Sequence, residues 1–211
     1  PARHIYKGDN AEIDYNRTVL QKEFEQAVDK EDINRATEIL KTNPGFATDN
    51  TFFWGEGPMM MVAKEGNKEM VDLLMNYGAK VPDVLKWAQF YYFERYDMTA
   101  YLLEKGANPN IMSWHHVTVL HDMAQKGNLT KAELFIKHGA HIDALEEEYC
   151  STPLGMAARW GHEEMVIYLL QQGADPNKAA ASWATPLAWA KKKGHAAIEE
   201  ILLKAGANRD K

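Results

Sequence analysis

Histidines are the side chains of this chain that come closest to a metal-binding pattern. His115, His116 and His121 fall within one short stretch, and His138 and His141 follow downstream. A zinc site uses imidazole nitrogens, but it also needs further ligands at short and fixed spacings. No cysteine or carboxylate completes such a ligand set here, so we predict no metal site and no cofactor.

Cys150 is the single cysteine of the chain. A catalytic thiol needs a neighbouring base and an oxyanion site, and no histidine accompanies Cys150 in a recognisable catalytic pattern. Neither an acid–base pair nor a phosphate-binding glycine loop can be assembled, so we predict that the chain is not an enzyme. A single cysteine excludes an internal disulfide framework and is typical of a reducing compartment, which favours a cytoplasmic location.

Charge and length limit the possible partners. The chain has 211 residues, a formal net charge of -6 and a pI near 5.8. These values argue against nucleic acid and against an anionic membrane surface as the main ligand, and no apolar run is long enough to span a bilayer. We expect a monomer that binds another protein. The sequence starts at Pro1 without Met, which leaves a removed signal peptide or a missing domain open.

An internal repeat organises the chain. The pair Gly-Ala recurs at spacings of 28, 33, 34 and 33 residues. Its copies are Gly78-Ala79, Gly106-Ala107, Gly139-Ala140, Gly173-Ala174 and Gly206-Ala207. A period near 33 residues indicates a stacked array of one supersecondary unit rather than a single globular core.

Each regular repeat has the signals for two short helices. Thr118, Thr152 and Thr185 occupy the N-cap position of the first helix, and Gly161 is placed to end one of them in a left-handed conformation. A second helix is predicted from apolar side chains at helical spacing over residues 163–172. One such pair cannot bury its apolar face alone, but stacked neighbours can do so together.

These motifs resemble the ankyrin repeat family, whose first helix opens with Thr-Pro-Leu-His-x-Ala-Ala and ends at Gly-His. Copies lie at residues 57–67, 118–128, 152–162 and 185–195. The resemblance covers about residues 22–211 and implies an all-α helical solenoid of about six repeats, including N- and C-terminal caps, with a shortened third repeat. We expect a polar tail at 1–12 and an ankyrin repeat domain at 13–211, with repeats at approximately 13–50, 51–80, 81–110, 111–143, 144–177 and 178–211.

The third repeat departs from the pattern. It is shorter by about five residues, and Glu94 stands where a glycine would end its first helix. We expect a helix over residues 82–93, and we expect that the missing residues are lost from the finger, the extended connection between repeats. Trp87, Phe90 and Tyr91 fall in this segment, so a small-ligand site there is a minor alternative function.

The resemblance also implies where a partner would bind. In ankyrin proteins the partner usually meets the finger tips and the exposed face of the first helices. Counting from the matched motifs gives these candidates: Phe53, Trp54, Trp114, His115, Tyr149, Arg159, Trp160 and Trp183. Exposed aromatic and arginine side chains are frequent anchors of protein interfaces. The alternative is that the finger aromatics pack against the next finger.

Two further features have structural as well as functional interpretations. His121 holds the histidine position of the family motif, where the resemblance implies a ring that hydrogen-bonds between neighbouring fingers. The acidic run at 146–148 and the basic run at 191–193 are either solvated faces or a rim that selects a charged partner.

The sequence therefore favours a non-enzymatic interaction module that holds a partner protein on its concave face. A regulatory or targeting segment of a larger effector or enzyme is the alternative.

Overall fold

The computed structural model describes residues 18–85, 90–113 and 115–208. The polar tail expected at 1–12 lies outside the described residues. The described chain is mostly helical and divides into two compact units. Neither unit has a helix long and apolar enough to cross a membrane within the described ranges.

The first unit contains the described residues up to Val81 together with Tyr91–Ala107. Its α-helices are α1 (Val19–Asp29), α2 (Ile33–Thr42), α3 (Pro58–Glu65), α4 (Lys68–Asn76) and α5 (Tyr96–Glu104), with 3₁₀ turns at Pro44–Thr48, Phe53–Gly55 and Tyr91–Phe93. Phe24, Phe46 and Phe52 form a cluster of rings whose centroids lie 5.2 to 5.6 Å apart. This aromatic cluster joins the first helix pair to the segment that leads to the second.

The second unit contains Pro82–Phe90 and the described residues from Asn108 onward. It holds the short strands β1 (Val84–Leu85) and β2 (Met112–Ser113), a 3₁₀ turn at Ser182–Ala184, and six α-helices. These are α6 (Val119–Lys126), α7 (Leu129–Lys137), α8 (Pro153–Trp160), α9 (Glu163–Gln171), α10 (Pro186–Lys193) and α11 (Ala196–Lys204). The first helices α6, α8 and α10 pack side by side, and the second helices α7, α9 and α11 form a second layer.

Local chemistry sets the bounds of the first helices. The hydroxyls of Thr118, Thr152 and Thr185 each accept a hydrogen bond from the backbone N–H three residues later, as N-cap side chains do. The glycines that follow α6, α8 and α10 adopt left-handed φ values of 65°, 81° and 76°. The caps and stops predicted from the sequence are therefore confirmed.

Successive repeats of the second unit are joined by a recurring side-chain bond. Asn110, Asp143 and Asn177 each accept, through a side-chain oxygen, a backbone N–H from about one repeat further along the chain. The donors are His141 at 2.7 Å, Asp175 at 3.1 Å and Asn208 at 2.8 Å. The side chain of this polar residue in each finger thus bonds to the backbone that follows the second helix of the next repeat.

A histidine ring forms a second recurring contact between repeats. His162 Nε2 lies 2.8 Å from the carbonyl oxygen of Gln125, and His195 Nε2 lies 3.3 Å from that of Arg159. Each ring covers the glycine that ends the preceding first helix, so that a Cβ at Gly127 or Gly161 would lie within 2.7 Å of a ring atom. The glycines are needed both for their φ values and for this close approach.

The third repeat differs from the prediction. Instead of a helix over residues 82–93, Val84–Leu85 forms a strand that pairs in parallel with Met112–Ser113, and Tyr91–Phe93 forms a 3₁₀ turn. The prediction of a helix over residues 82–93 is therefore wrong, because an extended segment begins where a finger begins in the other repeats. The backbone hydrogen bond from Met112 N–H to the Asp83 carbonyl, at 3.1 Å, holds this segment extended.

Candidate partner-binding site

An aromatic–cation cluster lies at the fingers and first helices of the second unit. Its members are Tyr149, Arg159, Trp183, Trp189 and Lys192. The guanidinium carbon of Arg159 lies 3.9 Å from the Tyr149 ring centroid and 4.2 Å from that of Trp189. The two rings meet almost at a right angle, so the guanidinium occupies the corner between them. Lys192 Nζ lies 5.1 Å from the Trp189 centroid, and Trp183 meets Trp189 edge to face at 5.9 Å.

Trp189 is the centre of this cluster and was not among the predicted site residues. Its side chain is 3% exposed, and its indole N–H donates a hydrogen bond of 2.7 Å to the Ser151 hydroxyl. The Ser151 hydroxyl lies in turn 3.1 Å from the Tyr149 carbonyl oxygen. The alignment of the repeats contains a signal for this residue: Trp189 stands where Met61 and Met156 stand in other copies, so an aromatic side chain replaces an aliphatic one.

Glu146 positions the finger that carries Tyr149. It is only 2% exposed, and its carboxylate accepts backbone N–H groups of Glu148 at 2.7 Å, Tyr149 at 2.9 Å and Ser151 at 3.0 Å. A buried carboxylate needs such partners, and three charge-assisted bonds fix the loop around it. The expectation of a solvated or partner-facing acidic run is therefore wrong for Glu146. Glu147 and Glu148 are exposed.

His121 is fully buried and joins two fingers. Its Nδ1 accepts the Thr118 backbone N–H at 3.1 Å, and its Nε2 lies 3.2 Å from the Ser151 carbonyl oxygen, to which it donates. Burial lowers the pKa of His121 from its ordinary value near 6.5 to about 4, against the opposing effect of the hydrogen bonds to backbone carbonyls. The ring is therefore neutral at pH 7, and the finger-bridging role implied by the resemblance is present.

Among the described residues, the other histidines do not gather around a metal position. His116 Nδ1 lies 2.8 Å from the Glu147 carboxylate, and both side chains are exposed. In the described part of the chain, no three His, Cys, Asp or Glu side chains are arranged to hold a metal ion. His116 and Cys150 both have left-handed φ values, 57° and 53°, two residues before the N-cap threonine. Cys150 thus occupies a turn position that favours glycine.

Several predicted site residues lie at the surface of the second unit. Trp160 at the end of α8 is 50% exposed, and Trp183 in its 3₁₀ turn is 53% exposed. His115 is exposed, and Tyr149 and Arg159 are half-buried within the aromatic–cation cluster. Trp114 lies outside the described residues, and the side chain of Trp54 is not described either. The structure therefore brings together three predicted residues, Tyr149, Arg159 and Trp183.

Phe53 does not have the exposure expected of a finger-tip anchor. Its side chain is 5% exposed, and its backbone, with φ at 51°, donates its N–H to the Glu25 carboxylate at 2.9 Å. The ring lines an open cavity of about 300 Å³ beside Met61 and Glu65. The prediction of an exposed aromatic is wrong here, because this turn directs the ring into the first unit.

The irregular third repeat gives only part of the predicted small-ligand site. Phe90 is buried, and the half-buried ring of Tyr91 has Lys64 Nζ at 4.8 Å from its centroid. Trp87 lies outside the described residues. The small-ligand hypothesis for this segment stays a prediction.

Comparison with known proteins accounts for the repeated architecture. Residues 115–180 match the family described as ankyrin repeats (3 copies). Residues 115–180 contain ankyrin repeats. Ankyrin repeats are non-catalytic units that serve in protein–protein interaction, and the matched range includes all of α6, α7, α8 and α9.

Curated relatives share one segment with this chain. Palmitoyltransferase ZDHHC13 of Mus musculus is 40% identical over 94 residues, which are 44% of this chain and 15% of the relative. Palmitoyltransferase ZDHHC17 of Danio rerio is 36% identical over 95 residues, which are 45% of this chain and 15% of the relative. The human ZDHHC17 is 35% identical over 95 residues with the same coverage. The chain thus spans about 15% of the length of the relatives it matches.

Proposed function

We propose that this chain is a non-enzymatic interaction module that binds a partner protein on its concave face, formed by the fingers and first helices. The carrying observation is the aromatic–cation cluster, which includes the exposed Trp183 and whose Arg159 immediately precedes the exposed Trp160. Trp and Arg are enriched among interface residues that dominate binding energy. Trp160 and Trp183 are each about half exposed, and exposed large apolar side chains mark interaction sites.

The burial of the helix faces supports the assignment of the exposed tryptophans to a partner surface. The apolar faces of α8 and α10 are buried against neighbouring helices, with Leu154, Ala157 and Leu187 at 3% exposure or less. The half-exposed tryptophans are therefore additional to the core that stacking requires. We further propose that the protein acts as a monomer in a reducing compartment, in keeping with its single cysteine.

Affinity capture with a matched control tests this function. The chain, a Trp160→Ala/Trp183→Ala variant and an Ile167→Ala control are each used to retain proteins from a native lysate, followed by mass spectrometry. Ile167 is also an exposed apolar side chain of the second unit, but it lies on the second helix α9. A protein kept by the wild type and the control but lost with the double variant supports the proposal.

Two results would count against it. If the wild type and the double variant retain every protein equally, the face that carries the two tryptophans does not bind the partner. A double variant with a much lower melting temperature assigns the tryptophans to folding, so circular dichroism accompanies the capture.

A second candidate function is that of a targeting or regulatory segment in a larger enzyme. The observation that favours it is the set of relatives named palmitoyltransferases, of which the chain matches about 15%. Sequencing the complete transcript tests this candidate. An open reading frame with a catalytic domain joined to these repeats supports it, and one without any further domain refutes it.

A further inference from the structure

We infer that the aromatic–cation cluster of the second unit recognises an acidic segment of its protein partner, with Arg159 binding an Asp or Glu carboxylate. This inference rests on the proposed interaction function and specifies the chemistry of the partner. It depends on three properties of the cluster: the fixed position of Arg159, its lack of a carboxylate partner, and the charge around it.

Arg159 is held in place by rings rather than by acids. Its guanidinium lies over Tyr149 at 3.9 Å and over Trp189 at 4.2 Å. Trp189 is itself immobilised by burial and by its bond to Ser151. An arginine that is stacked before binding loses less side-chain entropy when it binds a carboxylate, and its planar N–H groups suit a bidentate bond.

The guanidinium has no acidic partner within the described part of the chain. No ion pair within 4.0 Å joins Arg159 to a carboxylate there, in contrast to Arg35, which bonds to both Glu23 and Glu38. The nearby Glu148 is engaged elsewhere, because its hydrogen bond with the Tyr149 hydroxyl raises the pKa of that tyrosine. The N–H donors of Arg159 are thus available to a carboxylate from another protein.

The surroundings of Arg159 carry further positive charge. Lys191, Lys192 and Lys193 form the last turn of α10, and all three are exposed. Among the described residues none of them pairs with a carboxylate within 4.0 Å, although Lys204 pairs with Glu200 at 3.8 Å. Arg159 and Lys192 both lie against the Trp189 ring, and two further exposed lysines belong to the same helix turn. This positive charge favours an acidic partner segment by charge complementarity.

A purely structural role is the competing interpretation. Lys64, which occupies the position of Arg159 in an earlier repeat, also lies over an aromatic ring, Tyr91, at 4.8 Å. A cation on a ring of the next repeat can stabilise stacking without any partner. The two roles differ in their readout, because the structural role changes melting temperature while the binding role changes ligand selection.

Selection from a random peptide display library on the purified full chain tests the inference. We expect Asp and Glu to be enriched in peptides selected by the wild type and by a Lys204→Gln control, and not in those selected by Arg159→Gln. For one selected acidic peptide, Arg159→Gln weakens binding about tenfold or more, since a charge-assisted bond is lost. Arg159→Lys keeps the charge but not the planar fork, so it restores only part of the affinity. Melting temperatures confirm that each variant is folded.

The outcomes separate the inference from the function on which it rests. Selected peptides without acidic enrichment, or an acidic peptide bound equally by Arg159→Gln, overturn the inference while protein capture by the wild type preserves the proposed function. If the wild type selects no peptides and captures no protein, the inference and the proposed function are both overturned.

Discussion

Replacing His121 with Gln should remove a large part of the acid sensitivity of the fold. The buried ring accepts a hydrogen bond at Nδ1 from the Thr118 N–H. A proton on Nδ1 would make two N–H donors face each other without an acceptor. Gln is a suitable replacement because the same pairing occurs naturally in α1, where Gln21 and Thr18 form a capping box. The variant therefore keeps the helix cap and loses the titrating group.

The magnitude follows from the lowered pKa of His121. Between its ordinary value near 6.5 and the folded value of about 4, the unfolded chain binds a proton that the folded chain does not. Stability therefore falls as the pH decreases through this window, by about 1.4 kcal/mol per pH unit and about 3 kcal/mol in total. Above pH 6.5 His121 is neutral in both states and adds no pH dependence.

Urea unfolding followed by far-ultraviolet circular dichroism measures this effect. Relative to His121→Gln, the wild type should lose about 2 to 3 kcal/mol of unfolding free energy when the pH is lowered from neutral to about 4. Asp122→Asn is a control of opposite sign, because burial raises the pKa of Asp122 and its protonation favours the folded state in acid. A His121→Gln variant that loses stability with acid as steeply as the wild type would refute this reasoning.

Two further substitutions test the contacts that order the second unit, both by urea unfolding. Gly161→Ala should destabilise by about 2 kcal/mol, through its left-handed φ and through displacement of the His195 ring, whereas Gly194→Ala meets no atom within 4 Å and should cost about 1 kcal/mol. Equal losses would show that the ring contact is unimportant. Glu146→Ala should destabilise by about 3 kcal/mol because the buried Ser151 N–H loses its acceptor, while Glu147→Ala, at an exposed neighbour, should change stability by less than about 1 kcal/mol. A Glu146 variant as stable as the Glu147 variant would contradict the structural role of that carboxylate.

The helix pairs could be predicted because their signals are local. The second helix expected at 163–172 is α9 (Glu163–Gln171), and the threonines expected as N-caps precede α6, α8 and α10. Capping side chains and stop glycines act within one turn of the backbone they bond, so a single repeat copy contains the information.

The misassigned features depend on partners far along the chain. Val84 lies in an apolar segment that suits a helix, but its strand forms against Met112, 28 residues later. In the sequence Glu146 is part of an acidic run that is typical of a surface. Only the geometry of the backbone N–H groups around its carboxylate explains its burial. Trp189 was likewise hidden, because its contacts with Tyr149 and Arg159 come from another repeat.

The side-chain hydrogen bonds between repeats have a consequence for how fast the chain can fold. The bonds from His141 to Asn110, Asp175 to Asp143 and Asn208 to Asn177 span 31, 32 and 31 residues, and the bond between Trp189 and Ser151 spans 38. Each of these contacts closes a loop of about one repeat, so adding repeats adds closures of the same size rather than longer ones. The entropy of loop closure per repeat is then constant, and folding can begin at any helix pair and extend to its neighbours.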